Sequence, residues 1–244
     1  MSDHRLQVSD RCPLSIAALD LGQDPCACSL EKLLPYVSDE TRRKVERFRR
    51  REDGCRTAVG ELLARFMLSA CCSVDAGAIV IVRDSFGKPF WSGKRECHFS
   101  VSHSGRWVVV AVDSRHVGID IERIGPVEAG LEKTCFSDAE CRKWHSLDDE
   151  RRERFFFELW TAKESYIKMA GRGLDLPLAS FTIELGPGRE AHLVSHAEGC
   201  PPAVFRSYDI DGDYCLTLCA AHAVFPSGIK MVTVDELETH FIKG

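Results

Sequence analysis

The sequence predicts an α+β fold of two pseudo-symmetric lobes, each a small antiparallel sheet packed on a long helix. Two observations predict it. Apolar residues recur at helical spacing in one long segment of each half of the chain. Short β-rich runs surround each of those segments, so both halves follow the same plan of strand, helices and then about three strands. Sequence identity between the halves is weak, and the shared feature is the plan.

The elements follow in order. Ser38 is a good N-cap, with Asp39 and Glu40 in the first turn, and predicts a helix over 39–48. Val59, Leu62, Leu63, Phe66, Met67 and Ala70 predict a second helix over 57–71. Strands are expected at 78–83, 97–102 and 107–113. Gly87 and Pro89 punctuate a turn over 84–89, and Ser104-Gly105 joins two strands. The second half opens with a strand at 117–122. Ser137-Asp138-Ala139-Glu140 matches a capping box. A long helix is expected over 153–169, stopped at Gly171 and Gly173, with strands at 181–185, 203–209 and 214–221. The boundary falls at 114–116, dividing the chain into lobes 1–115 and 116–244.

The chain of 244 residues has room for one large domain or two small ones. A net charge of -5 argues against nonspecific nucleic-acid binding, although a local basic pocket can still hold a small anion. The N-terminus carries no apolar run, and the longest strongly apolar stretch, 107–112, is too short to span a bilayer. A cytoplasmic protein is expected. The twelve cysteines are dispersed, with one adjacent pair (Cys71, Cys72) and no C-x-x-C, which suits buried reduced thiols better than zinc or disulfides.

Two patches carry chemistry. Asp120 and Glu122 lie two apart on a strand and share a face. Glu164 and Lys168 lie four apart on one helical face. Clustered carboxylates repel unless a proton or cation intervenes, and magnesium held with a substrate phosphate is a natural resolution. A strand with one solvated face and a surface helix with one ion pair are the plainer alternatives. His103, between Ser102 and Ser104, reads as a base, a phosphate ligand or a turn residue. Lys88 is a cation on a fixed turn or an exposed hairpin tip. The basic run 42–51 is broken by Val45, Glu46 and Phe48, and reads as a solvated face with some cations turned to a small anion. There is no P-loop and no G-x-G-x-x-G motif.

Gly118-Ile119-Asp120, followed by the run from Trp160 through Lys163-Glu164-Ser165 to Lys168, resembles the 4′-phosphopantetheinyl transferases. The Ser102-His103-Ser104 step, the Gly87-Lys88-Pro89 turn and the Phe136-Ser137-x-x-Glu140 segment fit the same pattern. The likeness is to the long, two-lobed class typified by the surfactin-synthetase activator, and runs from about Ser38 to beyond Val232. It implies transfer of phosphopantetheine from coenzyme A to a serine of an apo acyl or peptidyl carrier protein, releasing adenosine 3′,5′-bisphosphate. It implies magnesium on Asp120, Glu122 and Glu164, with Asp120, Glu164 and Lys168 as the catalytic set. The base is Glu164 or a water on the metal. Lys168 would meet the pyrophosphate, and Lys44, Arg56, Thr57, Lys88, Pro89, Ser102 and His103 would bind coenzyme A. The first lobe would take the adenosine-phosphate side; the second would hold the metal and meet the carrier.

Thr41 departs from the family pattern, which has lysine there, so a phosphate contact is lost or supplied by Arg42 or Arg43. The segment 124–136, with Val127 and Leu131, resembles the carrier-docking surface or is an ordinary loop. A monomer is expected, without nucleic-acid or membrane partners. A catalytically silent binder of coenzyme A or carrier proteins, and a metal-dependent phosphohydrolase, are the competing readings.

Overall fold

The computed structural model describes residues 12–23, 30–93, 96–195 and 199–242. The chain runs β1 (Ser15–Asp20), α1 (Leu30–Leu33), α2 (Asp39–Val45), α3 (Arg51–Cys72), β2 (Ile81–Arg83), β3 (Pro89–Trp91), β4 (His98–Ser104) and β5 (Trp107–Asp113). It continues β6 (Val117–Arg123), α4 (Leu131–Cys135), α5 (Asp138–His145), α6 (Asp149–Ala170), β7 (Thr182–Leu185), β8 (Glu190–Ser195), β9 (Val204–Ser207), β10 (Tyr214–Ala220), β11 (Lys230–Val232) and α7 (Val234–Ile242).

The first sheet has the order β11-β1-β5-β4, and the second the order β6-β10-β9-β8-β7. β2 and β3 form a separate hairpin. The second sheet is antiparallel throughout. The first departs from the expected antiparallel pattern at one edge, where β11 joins β1 in parallel. Parallel neighbours need a long crossover, and here nearly the whole chain supplies it. β11 and α7 thus return to the first sheet, burying Val232 and Leu237 in its core. The packed units therefore do not follow the division 1–115 and 116–244 at the C-terminal end.

Three apolar layers hold the molecule together. Val59, Leu62 and Leu63 of α3 pack with Phe99, Val108 and Val110 of the first sheet. Trp107, Val109 and Ala111 alternate to the opposite face and meet Ile119, Ile121, Leu216 and Leu218 of the second sheet. β5 is buried along its whole length because each face has a core of its own. Phe156, Leu159 and Tyr166 of α6 cover the far side of the second sheet with Phe181, Phe205 and Cys219. Both long helices span 22 residues and stop at a left-handed residue, Ser73 after α3 and Gly171 after α6.

β4 and β6 are the facing edge strands. Serine hydroxyls join them: Ser100, Ser102 and Ser104 Oγ accept from the amides of Ile119, Ile121 and Arg123 at 3.1, 3.4 and 3.0 Å. α6 lies against β6 at Gly118, where an added Cβ would sit 2.0 Å from the Ser165 carbonyl oxygen. Only glycine permits that approach.

Candidate active site

β6 presents Asp120 and Glu122 on one face, and α6 brings Glu164 and Lys168 over them. With Ser102, His103, Lys44, Thr57 and Pro89, these side chains line one cleft of about 500 Å³ between the lobes. Asp120 is buried. Its Oδ1 accepts from Ser102 Oγ at 2.7 Å and from Lys168 Nζ at 2.6 Å, while its Oδ2 is buried without a partner. Ser104 Oγ donates to Glu122 Oε2 at 2.8 Å. Lys168 Nζ also donates to Ser102 Oγ at 2.9 Å.

Glu122 and Glu164 both have raised proton affinity. Burial, and then the charge of Asp120, push Glu122 up to about 7, against the Ser104 hydrogen bond and Lys168. Burial and Asp120 raise Glu164 as well, with Lys168 opposing. The His103 pKa is lowered, first by the protein around the ring and then by Arg56 and Lys168. His103 is nonetheless an exposed residue, which moderates that desolvation.

The donor set fits a hard divalent cation. A buried carboxylate oxygen lacks a partner, and two neighbouring carboxyls are held short of easy ionisation, so a positive charge there relieves both defects. Among the described residues, no three His, Cys, Asp or Glu side chains form a ready-made metal shell. The arrangement suits an ion that completes its coordination with water and phosphate oxygens.

Two of the residues expected to bind coenzyme A are engaged by other groups of the protein. Arg56 donates to the Gly105 carbonyl at 2.7 Å and pairs with Asp53 at 2.5 Å. Lys88 Nζ donates to the Lys168 and Met169 carbonyls at 2.6 and 3.2 Å, at the C-terminal end of α6. Burial lowers Lys88 to about 8, with Asp84 opposing. Lys88 lines a second, more apolar cavity of about 350 Å³ beside the cleft, which shares Glu164 and Lys168 with it. Thr41 is buried and lines the main cleft, so the position at which the family pattern has lysine does face the site.

Sequence reasoning missed four contributors. Ser100 and Ser104 had a visible signal, the period-two serines of β4. Trp160, assigned no role from sequence beyond its place in the motif, also lines the cleft. The role of Lys163 had no such signal. Its ammonium is fully buried, 2.8 Å from Glu140 Oε2, and donates to the Leu178 and Phe181 carbonyls. Glu140 also accepts from the amides of Ser137 and Ile183, so the α5 capping box doubles as a counterion. Burial lowers Lys163, while Glu140 opposes. Adjacent residues of α6 therefore divide the work: Lys163 ties α6 to α5 and β7, and Glu164 faces the cleft.

Comparison with known proteins assigns the class. Residues 116–219 match the family described as the 4′-phosphopantetheinyl transferase superfamily, and residues 23–115 match 4′-phosphopantetheinyl transferase, N-terminal. The chain belongs to the 4′-phosphopantetheinyl transferase superfamily. It is 38% identical to a 4′-phosphopantetheinyl transferase of Bacillus subtilis over 85% of this chain and 92% of that one. It is 36% identical to 4′-phosphopantetheinyl transferase Sfp of Bacillus subtilis (strain 168) over the same shares. It is also 37% identical to 4′-phosphopantetheinyl transferase gsp of Aneurinibacillus migulanus, over 84% of this chain and 86% of the relative.

Proposed function

We propose that this chain is a magnesium-dependent transferase that moves 4′-phosphopantetheine from coenzyme A to a serine of apo acyl or peptidyl carrier proteins. Adenosine 3′,5′-bisphosphate is released. The observation that carries this reading is the unpartnered, buried Asp120 Oδ2 beside Glu122 and Glu164 in a cleft whose other wall offers cations and hydroxyls.

Asp120, Glu122 and Glu164 would hold the magnesium. When bound, it supplies positive charge against the pyrophosphate as the bridging bond breaks. Glu164 takes the proton of the attacking serine, being the carboxylate that α6 brings into the cleft. Lys168, anchored on Asp120, adds a fixed positive charge for the leaving phosphate. Lys44, Arg56, Thr57, Lys88, Pro89, Ser102 and His103 take the adenosine-phosphate half. Arg56 and Lys88 exchange neutral carbonyl acceptors for phosphate oxygens, which bind such donors more strongly.

The lobe built on 1–115 and completed by β11 and α7 serves the nucleotide, and the rest of 116–244 serves the metal and the carrier, with the segment 124–136 as the carrier's docking surface. The enzyme acts as a monomer in the cytoplasm, on carriers of nonribosomal peptide or polyketide assembly. No helix among the described residues is long and apolar enough to cross a membrane.

The test is a panel of apo carrier proteins incubated with coenzyme A and magnesium, read by mass spectrometry. One phosphopantetheine mass per carrier is expected, falling about 10²–10⁴-fold in the Glu164→Gln variant with folding retained. No gain on any carrier overturns the reading. Release of adenosine bisphosphate without a carrier would favour a hydrolase instead.

A further inference from the structure

The first lobe holds a cluster of thiols away from the cleft. Cys71 and Cys72 end α3, Cys97 immediately precedes β4, and Cys12 lies just before β1. All four belong to or pack against the core of the first sheet. The Cys72 and Cys97 sulfurs are 2.9 Å apart. None of the ten described cysteines is in a disulfide. Cys72 is half-buried, whereas Cys97 is closed off at 4% exposure. Neither residue lines the cleft or the cavity beside it.

The second pair lies in the same cluster. Cys12 and Cys71 lie close enough for each thiol to shift the other. The neighbouring Cys12 lowers the Cys71 thiol to about 7, helped by Ser15 and the charge of Lys230, against burial. Cys12 moves in the opposite direction, through Cys71, then burial and the neighbouring sulfurs. Cys71 therefore carries substantial thiolate character at neutral pH, whereas the Cys72–Cys97 pair is singled out by its geometry, two sulfurs 2.9 Å apart with Cys72 half-buried.

We propose that this cluster is a peroxide-responsive modification site that closes a Cys72–Cys97 disulfide, stapling the C-terminal end of α3 to the start of β4. Cys72 is the sulfur within reach of solvent. It attacks one oxygen of hydrogen peroxide, forming a sulfenic acid as the O–O bond breaks, and the departing oxygen leaves as water. The Cys97 sulfur then displaces the hydroxyl of the sulfenic acid as a second water. Two thiols and one hydrogen peroxide become one disulfide and two waters, and the two electrons lost by sulfur reduce the peroxide.

The staple closes a loop of about 25 residues, long enough to restrict the unfolded chain appreciably. That loop contains β2 and β3 and so carries Arg83, Lys88 and Pro89, which line the two cavities. Oxidation pins the base of this hairpin without touching the carboxylates of the cleft.

The experiment is titration of the full chain with hydrogen peroxide, followed by non-reducing peptide mapping and thermal unfolding. A cross-linked peptide pair containing Cys72 and Cys97, lighter by two hydrogens, is expected. Tm should rise by on the order of 5 °C and return on adding a thiol reductant. Cys72→Ser and Cys72→Ala should each abolish both the cross-link and the shift, while the unoxidised variants transfer at the wild-type rate. Persistence of both thiols under peroxide, cross-linking of a different pair in place of this one, or an equal Tm rise in both variants would overturn the proposal.

Discussion

α3 and α6 have equal lengths and cover their sheets in the same way, yet they bring different chemistry to the cleft. α3 turns Thr57, Gly60, Glu61 and Ala64 toward it. The carboxylate of Glu61 is occupied by the Ser38 amide and hydroxyl at the N-cap of α2. α6 turns Trp160, Glu164 and Lys168 toward the same space. The edge strands differ likewise, with hydroxyls on β4 and carboxylates on β6. Repetition of a scaffold therefore does not repeat its chemistry. One half supplies hydroxyls and outlying cations, and the other concentrates acidic groups around an orphaned oxygen.

The largest contrast lies in how each helix approaches its sheet. Each lobe uses a glycine, on the helix in one (Gly60) and on the strand in the other (Gly118). A Cβ on Gly118 would meet the Ser165 carbonyl at 2.0 Å and the Met169 amide at 2.5 Å, and neither backbone atom can move aside. Gly118→Ala should cost more than about 4 kcal/mol and leave little folded protein. A Cβ on Gly60 meets side-chain atoms alone, Val101 Cγ1 at 3.0 Å and Val108 Cγ1 at 3.8 Å. Gly60→Ala also gains up to about 1 kcal/mol of helix propensity, so its net effect should stay within about 1 kcal/mol. Urea unfolding of the two variants checks the pair, and similar losses at both sites would remove the distinction.

The next contrast lies within α6. Lys163→Met leaves Glu140 buried without its cation and should cost about 3–5 kcal/mol, with transfer per folded molecule retained. Lys168 is 28% exposed where Lys163 is fully buried, so Lys168→Met, which leaves the buried Asp120 without its cation, should cost less than Lys163→Met, about 1–3 kcal/mol. Loss of its charge from the cleft should lower transfer by roughly 10²-fold or more. Urea midpoints and the carrier mass assay, run on both variants, separate the structural lysine from the one in the cleft.

A smaller effect is set by pH. Glu122 titrates near 7 in the folded chain, against an ordinary 4.5. The folded state therefore holds the extra proton between those values. Its contribution to stability is whole below about 4.5 and is lost as pH rises through 7, amounting to at most about 3 kcal/mol. Glu164 shifts in the same direction. Metal-free protein should weaken between pH 5 and 8, magnesium should reverse that trend, and Glu122→Gln should flatten it. Chemical denaturation across that pH range provides the measurement.

Much of this site was legible in the sequence because its spacing is local. Two carboxylates at i, i+2 on a strand and a Glu–Lys pair at i, i+4 on a helix declare their faces directly. The α5 capping box is equally local, and the structure contains it. Contacts with distant partners were not legible. Nothing in a linear reading shows that Glu140 neutralises Lys163, or that Arg56 and Lys88 rest on backbone carbonyls, since a carbonyl has no residue signature. β1, β8, β11 and α7 were missed for related reasons. β11 has only three residues, β8 is largely exposed, and the alanines of β1 carry little strand preference. The predicted strand at 78–83 starts later, at Ile81, because Asp75 caps a 3₁₀ turn over Ala76–Ala78.

The serine seam between β4 and β6 has one mechanical consequence. A backbone ladder is all-or-none along its length, because its donors and acceptors are fixed in the chain. A hydroxyl is a rotor, and that of Ser102 already serves an amide, a carboxylate and an ammonium at once. The joint therefore behaves as a row of separate pins. One pin can rotate while the other two keep the halves aligned, so the walls of the cleft can adapt without unzipping either sheet.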